Sequence, residues 1–194
     1  MAINSVQVEH KLFTVAEYEQ MISAGVLGED DRLELIEGEI IKMSPIGSLH
    51  VFIVNQLNDL LGTRLRKRAI VSVQNPIRLA NSQPQPDLTL LRPAVRRRPD
   101  LLPSAADVLL LIEVADTTAR FDQSVKVPLY GREGISEYWL IDLSNSVVEV
   151  YRGPVAGGYR TKQTFAIGDV LVPEAFPDLH LDVQDIFGLP ASDD

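Results

Sequence analysis

The sequence predicts an α/β or α+β fold: a mixed central β-sheet flanked by helices, with an N-terminal helix and a β-hairpin ahead of it. Three observations carry this. Residues 47–68 repeat apolar side chains at spacings of three and four, the pattern of one face of a long helix. Asp107-Val-Leu-Leu-Leu-Ile-Glu-Val114 is an almost unbroken apolar run, as a central strand covered on both faces requires. Around these two segments the order is helix, hairpin, long helix, several strands, helix, strands.

Taken in order, Thr14-Val-Ala-Glu17 forms a capping box that opens a helix over Val15 to Ala24, and Gly25 stops it. Leu33 to Met43 alternates on either side of Glu37-Gly38, a hairpin or bent strand turning near Gly38. The long helix, Gly47 to Arg68, puts Leu49, Phe52, Ile53, Leu57, Leu60, Leu61 and Leu65 on its inward face. It ends in Arg64, Arg66, Lys67 and Arg68, cations that complement the helix dipole. Strands follow at Ala69 to Val73, continued by Ile77 to Leu79, and at Asp87 to Leu91, then an exposed loop from Pro93 to Ala106. After the central strand a helix runs from Asp122 to about Arg132, with Pro128 expected to bend it. Strands at Glu137 to Asp142, Val147 to Tyr151 and Gly157 to Phe165 complete the sheet. The segment from Leu171 to Phe187 is mostly extended, with a helical turn at its end. Its Phe176, Leu179, Leu181, Ile186 and Phe187 would cover either their own core or a symmetric partner, which leaves a homodimer open.

The 194 residues are 45% hydrophobic and 23% charged, the balance of a folded protein. We expect one domain over 13–188, with a lead-in at 1–12 and a tail at 189–194. The absence of cysteine excludes disulfides, thiolate metal sites and cysteine nucleophiles, and fits a reducing compartment. No stretch approaches the ~20 apolar residues of a membrane span, and residues 1–11 carry no signal pattern. The expectation is a soluble, cytoplasmic protein with no membrane partner. The net charge of −9 is unevenly spread: residues 60–100 hold nine of the 18 basic residues and only two acids, Asp87 and Asp100. Such segregation builds either a local positive face on an acidic body or simply a solvated surface.

Glu113 closes the apolar strand, where a carboxylate is costly unless paired or bound to a metal. Asp87 opens another strand. If the two strands are neighbours, their acids converge on one edge of the sheet, and two carboxylates with water and substrate oxygens suit magnesium. Lys126 follows on the next helix, four residues after Asp122, and a helix packed back on its own strand can aim it at the strand's end. Plainer readings stand beside these: a surface ion pair for Asp122 and Lys126, a turn former for Asp87, a solvent-facing strand end for Glu113, a cap or surface residue for His50, and a turn residue for Glu37.

Leu33-Glu-Leu-Ile-Glu-Gly-Glu-Ile40, Met43-Ser-Pro45 followed by His50, Pro86-Asp87, Ile112-Glu-Val114, Asp122-x-x-x-Lys126 with Leu129-Tyr130, Gly134-Ile-x-Glu-Tyr-Trp-Leu-Ile-Asp142 and Leu179-x-Leu-x-Val-x-x-Ile-Phe187 occur in one order. Together, over about residues 13–188, they resemble the Uma-two family of restriction-endonuclease-like proteins in the PD-(D/E)xK nuclease superfamily. The resemblance implies a restriction-endonuclease-like sheet flanked by helices. It also implies a metal-dependent endonuclease that hydrolyses DNA phosphodiester bonds, with Asp87 and Glu113 as ligands of Mg2+ or Mn2+ and Lys126 as the catalytic lysine. Glu37 and His50 match further polar positions of the site. The superfamily's usual lysine position, two residues after the second acid, is here Ala115, so the lysine comes from the helix. Arg64, Arg66, Lys67, Arg68, Arg96, Arg97 and Arg98 are the expected nucleic-acid contacts. The alternative is a nuclease-fold module of weak or no activity that binds nucleic acid or protein.

Overall fold

A computed structural model of the chain describes residues 10–116 and 118–189. The lead-in at 1–12 and the tail at 189–194 therefore lie mostly outside the described residues. Thr14 caps helix α1 (Val15–Ser23), and its hydroxyl and the Glu17 carboxylate complete the capping box. Strands β1 (Leu33–Ile36) and β2 (Glu39–Lys42) form an antiparallel hairpin. Its two-residue turn, Glu37-Gly38, has φ of +50° and +85°, the left-handed pair that a tight twisted hairpin needs. At Gly38 a side chain would also strike Leu12 at 2.9 Å. Val15, Tyr18 and Leu35 seal α1 against the hairpin.

Helix α2 (Ser48–Arg64) leads into the main sheet. This comprises β3 (Ile70–Val73), β4 (Leu88–Leu91), β5 (Val108–Ala115), β6 (Glu137–Asp142), β7 (Val147–Val155) and β8 (Gly158–Ala166), in that spatial order. All neighbours are antiparallel except β5 and β6. Parallel strands require a crossover, here α3 (Ala119–Phe121), a π-turn (Asp122–Lys126) and α4 (Val127–Arg132). Pro128 explains the π-turn. It has no N–H, and its ring would crowd the carbonyl four residues back, so the wider turn ahead of it accommodates the mismatch. The sequence predicts a bend there and a start at Asp122; the helical segment begins three residues earlier.

The pleat sorts the core into two layers. Leu110, Ile112 and Val114 of β5 pack with Ile53, Leu57 and Leu61 of α2. Leu111 and Ala115 face the other way, with Leu129 and Tyr130 of α4. On α2 the inward face is His50, Ile53, Val54, Leu57 and Leu61. Leu49 and Phe52, expected inward, are exposed (51% and 47%), because the buried stripe starts from His50 and not from Leu49. Ile77 to Leu79 form no strand; Arg78 makes only an isolated bridge to Ser104. The final segment pairs β9 (Val170–Leu171) with β10 (Leu181–Asp182) and ends in α5 (Val183–Ile186). Phe176, Leu179, Leu181 and Ile186 are buried in the α2-side core and Phe187 packs against it, so this segment covers its own chain. No helix among the described residues is long and apolar enough to cross a membrane.

Candidate active site

The register of β4 with β5 pairs Leu88 with Ile112, and one further antiparallel step sets Asp87 opposite Glu113. Directly opposite residues share a face of the sheet, so the two acids stand side by side. Asp87 Oδ2 accepts from the Val114 backbone N–H at 2.9 Å and lies 3.0 Å from Nε2 of His50, in the first turn of α2. Asp87 Oδ1 has only a 3.4 Å contact from the Gln74 amide.

Glu113 is held through one oxygen. Lys126 Nζ donates to Oε1 at 2.9 Å and the Tyr130 hydroxyl donates to it at 2.8 Å. Among the described residues nothing donates to Oε2. Lys126 is 6% exposed, which excludes the surface ion pair. It also faces Asp122 Oδ1 at 3.6 Å and Glu34 Oε2 at 3.7 Å. Glu34 is fixed in turn by the Gln85 backbone N–H at 2.8 Å, and Asp122 by the Thr118 hydroxyl at 2.8 Å. Three buried carboxylates thus surround one ammonium, and Asp87 stands beside Glu113. Burial pushes the Glu113 carboxyl up to about 8 against the pull of Lys126, and Asp87, Asp122 and Glu34 push the same way. Burial likewise raises Asp122 despite Lys126. Burial by itself pulls Lys126 down, but Glu113, Glu34 and Asp122 outweigh it and hold the amine protonated. Burial and the Glu113 charge keep the Tyr130 phenol neutral.

These groups line one open cavity of about 490 Å3. Of the residues expected at the site, Asp87, Glu113, Lys126 and His50 line it. Glu37 does not. It occupies the hairpin turn at φ +50°, its carboxylate is half exposed, and it pairs with Arg132. The acid the hairpin delivers is Glu34, two residues before the buried Ile36 and on the same face of β1, a placement legible from strand alternation.

The expected basic contacts are also elsewhere. Arg64 lies 14 residues beyond His50 along α2, roughly 20 Å at 1.5 Å per residue, and it bonds the His180 carbonyl and Asp185. Arg68 forks onto Asp178. Arg66 and Lys67 follow at the same end of α2. Arg96, Arg97 and Arg98 sit past the far end of β4, where Arg98 pairs with Asp107. Besides Lys126, the cations that do line the cavity are Arg32, Lys42 and Arg120, none of which belongs to a basic run.

Among the described residues, no three His, Asp or Glu side chains are grouped so as to hold a metal unaided. The donor set nevertheless suits a hard divalent cation. Asp87 and Glu113 are each held mainly through one oxygen, the other having only the 3.4 Å Gln74 contact on Asp87 and no donor among the described residues on Glu113, and both residues line the cavity; magnesium commonly takes one or two carboxylates with water and substrate oxygens.

The mixed six-stranded sheet with its flanking helices and crossover is a restriction-endonuclease-like fold. The chain belongs to the Uma2 family, described as "Putative restriction endonuclease", whose model matches residues 15–184. Its fold is shared with the crystal structure of "a putative nuclease belonging to DUF820" from Anabaena variabilis. That match has a TM-score of 0.75 at 18% identity and covers 91% of this chain and 98% of that one. No curated protein matches the chain in sequence.

Proposed function

We propose that the protein is a divalent-metal-dependent endonuclease that hydrolyses DNA phosphodiester bonds. The observation that carries this is the pair of buried, adjacent acids, Asp87 and Glu113, both lining the cavity, each with one oxygen little used by the protein's own donors, and with Lys126 bonded to the second. Asp87 and Glu113 would hold Mg2+, or Mn2+ on the same oxygen ligands. Bound there, such an ion supplies a water of lowered pKa and neutralises charge on the scissile phosphate. The chain's own groups do the positioning. The Val114 N–H and His50 set the rotation of the Asp87 carboxylate, and Tyr130 and Lys126 set that of Glu113. Lys126, protonated among three carboxylates, acts as a fixed positive charge toward a phosphate and not as a base. The family description and the named neighbour point to the same chemistry.

The test is nicking of supercoiled plasmid by the full chain with Mg2+ or Mn2+. Asp87→Ala and Glu113→Gln should each lower the rate by ~10²-fold or more. Equal activity in both variants would trace the nicking to a contaminant.

A second reading, a nuclease-fold module that binds without cleaving, draws on the burial of the acids, which raises the Glu113 carboxyl to about 8 and so favours its neutral form at pH 7. Thermal melting separates the two. A working site is stabilised by Mn2+ through mass action on the folded state, and Glu113→Gln removes that gain. A melting temperature indifferent to Mn2+ favours the binding module.

A further inference from the structure

We propose that Arg32, Lys42 and Arg120 form a backbone-phosphate site at the mouth of the cavity, taking the nucleic-acid phosphates on either side of the one above Asp87 and Glu113. The identity of that strand rests on the nuclease reading; the anion site rests on the cavity itself.

Placement is the first argument. Arg32 precedes β1 and Lys42 ends β2, where Lys42 pairs with Leu33 and the Arg32 carbonyl accepts from the Met43 N–H at 2.9 Å. The open end of the hairpin therefore carries both cations. Arg120 lies on α3, beyond the end of β5, and all three line the same cavity.

Pairing is the second argument. Among the described residues none of the three makes an ion pair, whereas Arg64, Arg68, Arg78, Arg98, Arg132 and Arg152 all do. Those six are occupied with the protein's own carboxylates; the three at the mouth are available to an anion.

Layering is the third. Glu34, Asp87, Glu113 and Asp122 are buried, while Arg32 is half-buried and Lys42 and Arg120 are exposed, so the rim sets three cations against one exposed acid, Asp116. A phosphodiester strand is negative along its length and needs cations beside it, while the one phosphate above the acids needs a metal. A cavity with a positive mouth over an acidic floor meets both needs. Phosphate contacts of this kind set position and carry no sequence information.

The test is fluorescence anisotropy with a fluorescein-labelled oligonucleotide, single-stranded and duplex, in EDTA over a salt series. The full chain is compared with R32N/K42Q/R120Q, with asparagine at 32 because it tolerates the left-handed φ of +49° there. The control is R66Q/K67Q/R96Q/R97Q, which removes one charge more at the distant clusters. Expected is a loss of affinity of at least tenfold in the mouth variant. The slope of log K against log salt should fall by roughly 2 on single strands and roughly 3 on duplex, and the control should lose less. If the mouth variant melts early, K42Q/R120Q alone carries the test. The proposal is overturned if the wild type does not bind, if the mouth variant binds unchanged, or if the control loses as much. Binding that depends on the mouth in a protein that never nicks plasmid would keep this site and remove the nuclease reading. Nicking and binding both indifferent to the mouth residues would do the reverse.

Discussion

Glu113 and Glu137 are glutamates on adjacent central strands, and both are almost sealed from solvent, 4% and 0% exposed. Glu137 is saturated. Its Oε1 accepts from Trp139 Nε1 at 2.9 Å and from Arg152 Nε and Nη2 at 2.9 and 2.6 Å, and its Oε2 accepts from the Glu174 N–H at 2.6 Å. Arg152 also donates to the Val172 carbonyl, so this pair pins the final segment across the sheet. Glu113 directs both of its bonds through one oxygen, and its lysine is shared with Glu34 and Asp122. Burial is therefore common to a structural acid and a candidate catalytic one. What separates them is how many oxygens are satisfied and whether the local charge balances.

That contrast breaks most readily at Glu137. Glu137→Ala leaves the half-buried Arg152 guanidinium without its partner, strips the Trp139 and Glu174 N–H groups of their acceptor and frees the final segment. It should cost about 3–5 kcal/mol and lower the melting temperature by about 10 °C or more. Nicking per folded molecule, measured well below the transition, should be unchanged. If Glu113→Ala proves the more destabilising of the two, the division between structural and functional acids fails. Lys126→Met comes next. It removes the one ammonium among three carboxylates, at about 3 kcal/mol when those acids are ionised. The acids can recover by binding protons, so the loss should be large at pH 8 and small at pH 5, read by melting in EDTA. A loss independent of pH would mean that packing, not charge, is what Lys126 supplies.

Much of the scaffold was legible because local chemistry dictates it. The Thr14–Glu17 box needs only a hydroxyl and a carboxylate three residues apart, and the apolar run around Ile112 leaves little choice but a central strand. Asp87, Glu113 and Lys126 stood out as charges interrupting or flanking apolar runs. Three features required the fold. His50 belongs to the buried stripe of α2, and counting only apolar residues turned that face onto Leu49 and Phe52. Glu34 and Glu37 sit three residues apart in the same hairpin; alternation with Ile36 puts Glu34 on the buried face, but that Glu37 falls in the turn and away from the cavity needed the fold. The basic runs drew attention because they are contiguous in sequence, whereas the cavity's cations come from the hairpin's two ends and α3.

The gentlest test of the comparison is the pH dependence of stability without metal. The folded protein holds the Glu113 proton up to about pH 8, against an ordinary value of 4.5 for the unfolded chain. Between those values the folded state binds more protons than the unfolded one, so each step upward in pH favours unfolding. The contribution is complete below about pH 4.5 and gone by about pH 8, with a slope no steeper than about 1.4 kcal/mol per pH unit. Asp122, raised in the same direction, adds to it. Glu113→Gln cannot titrate, so the difference between wild type and variant isolates this one group. In EDTA the wild type should lose melting temperature relative to Glu113→Gln from pH 5 to 8. Curves that run parallel would put Glu113 at its ordinary value.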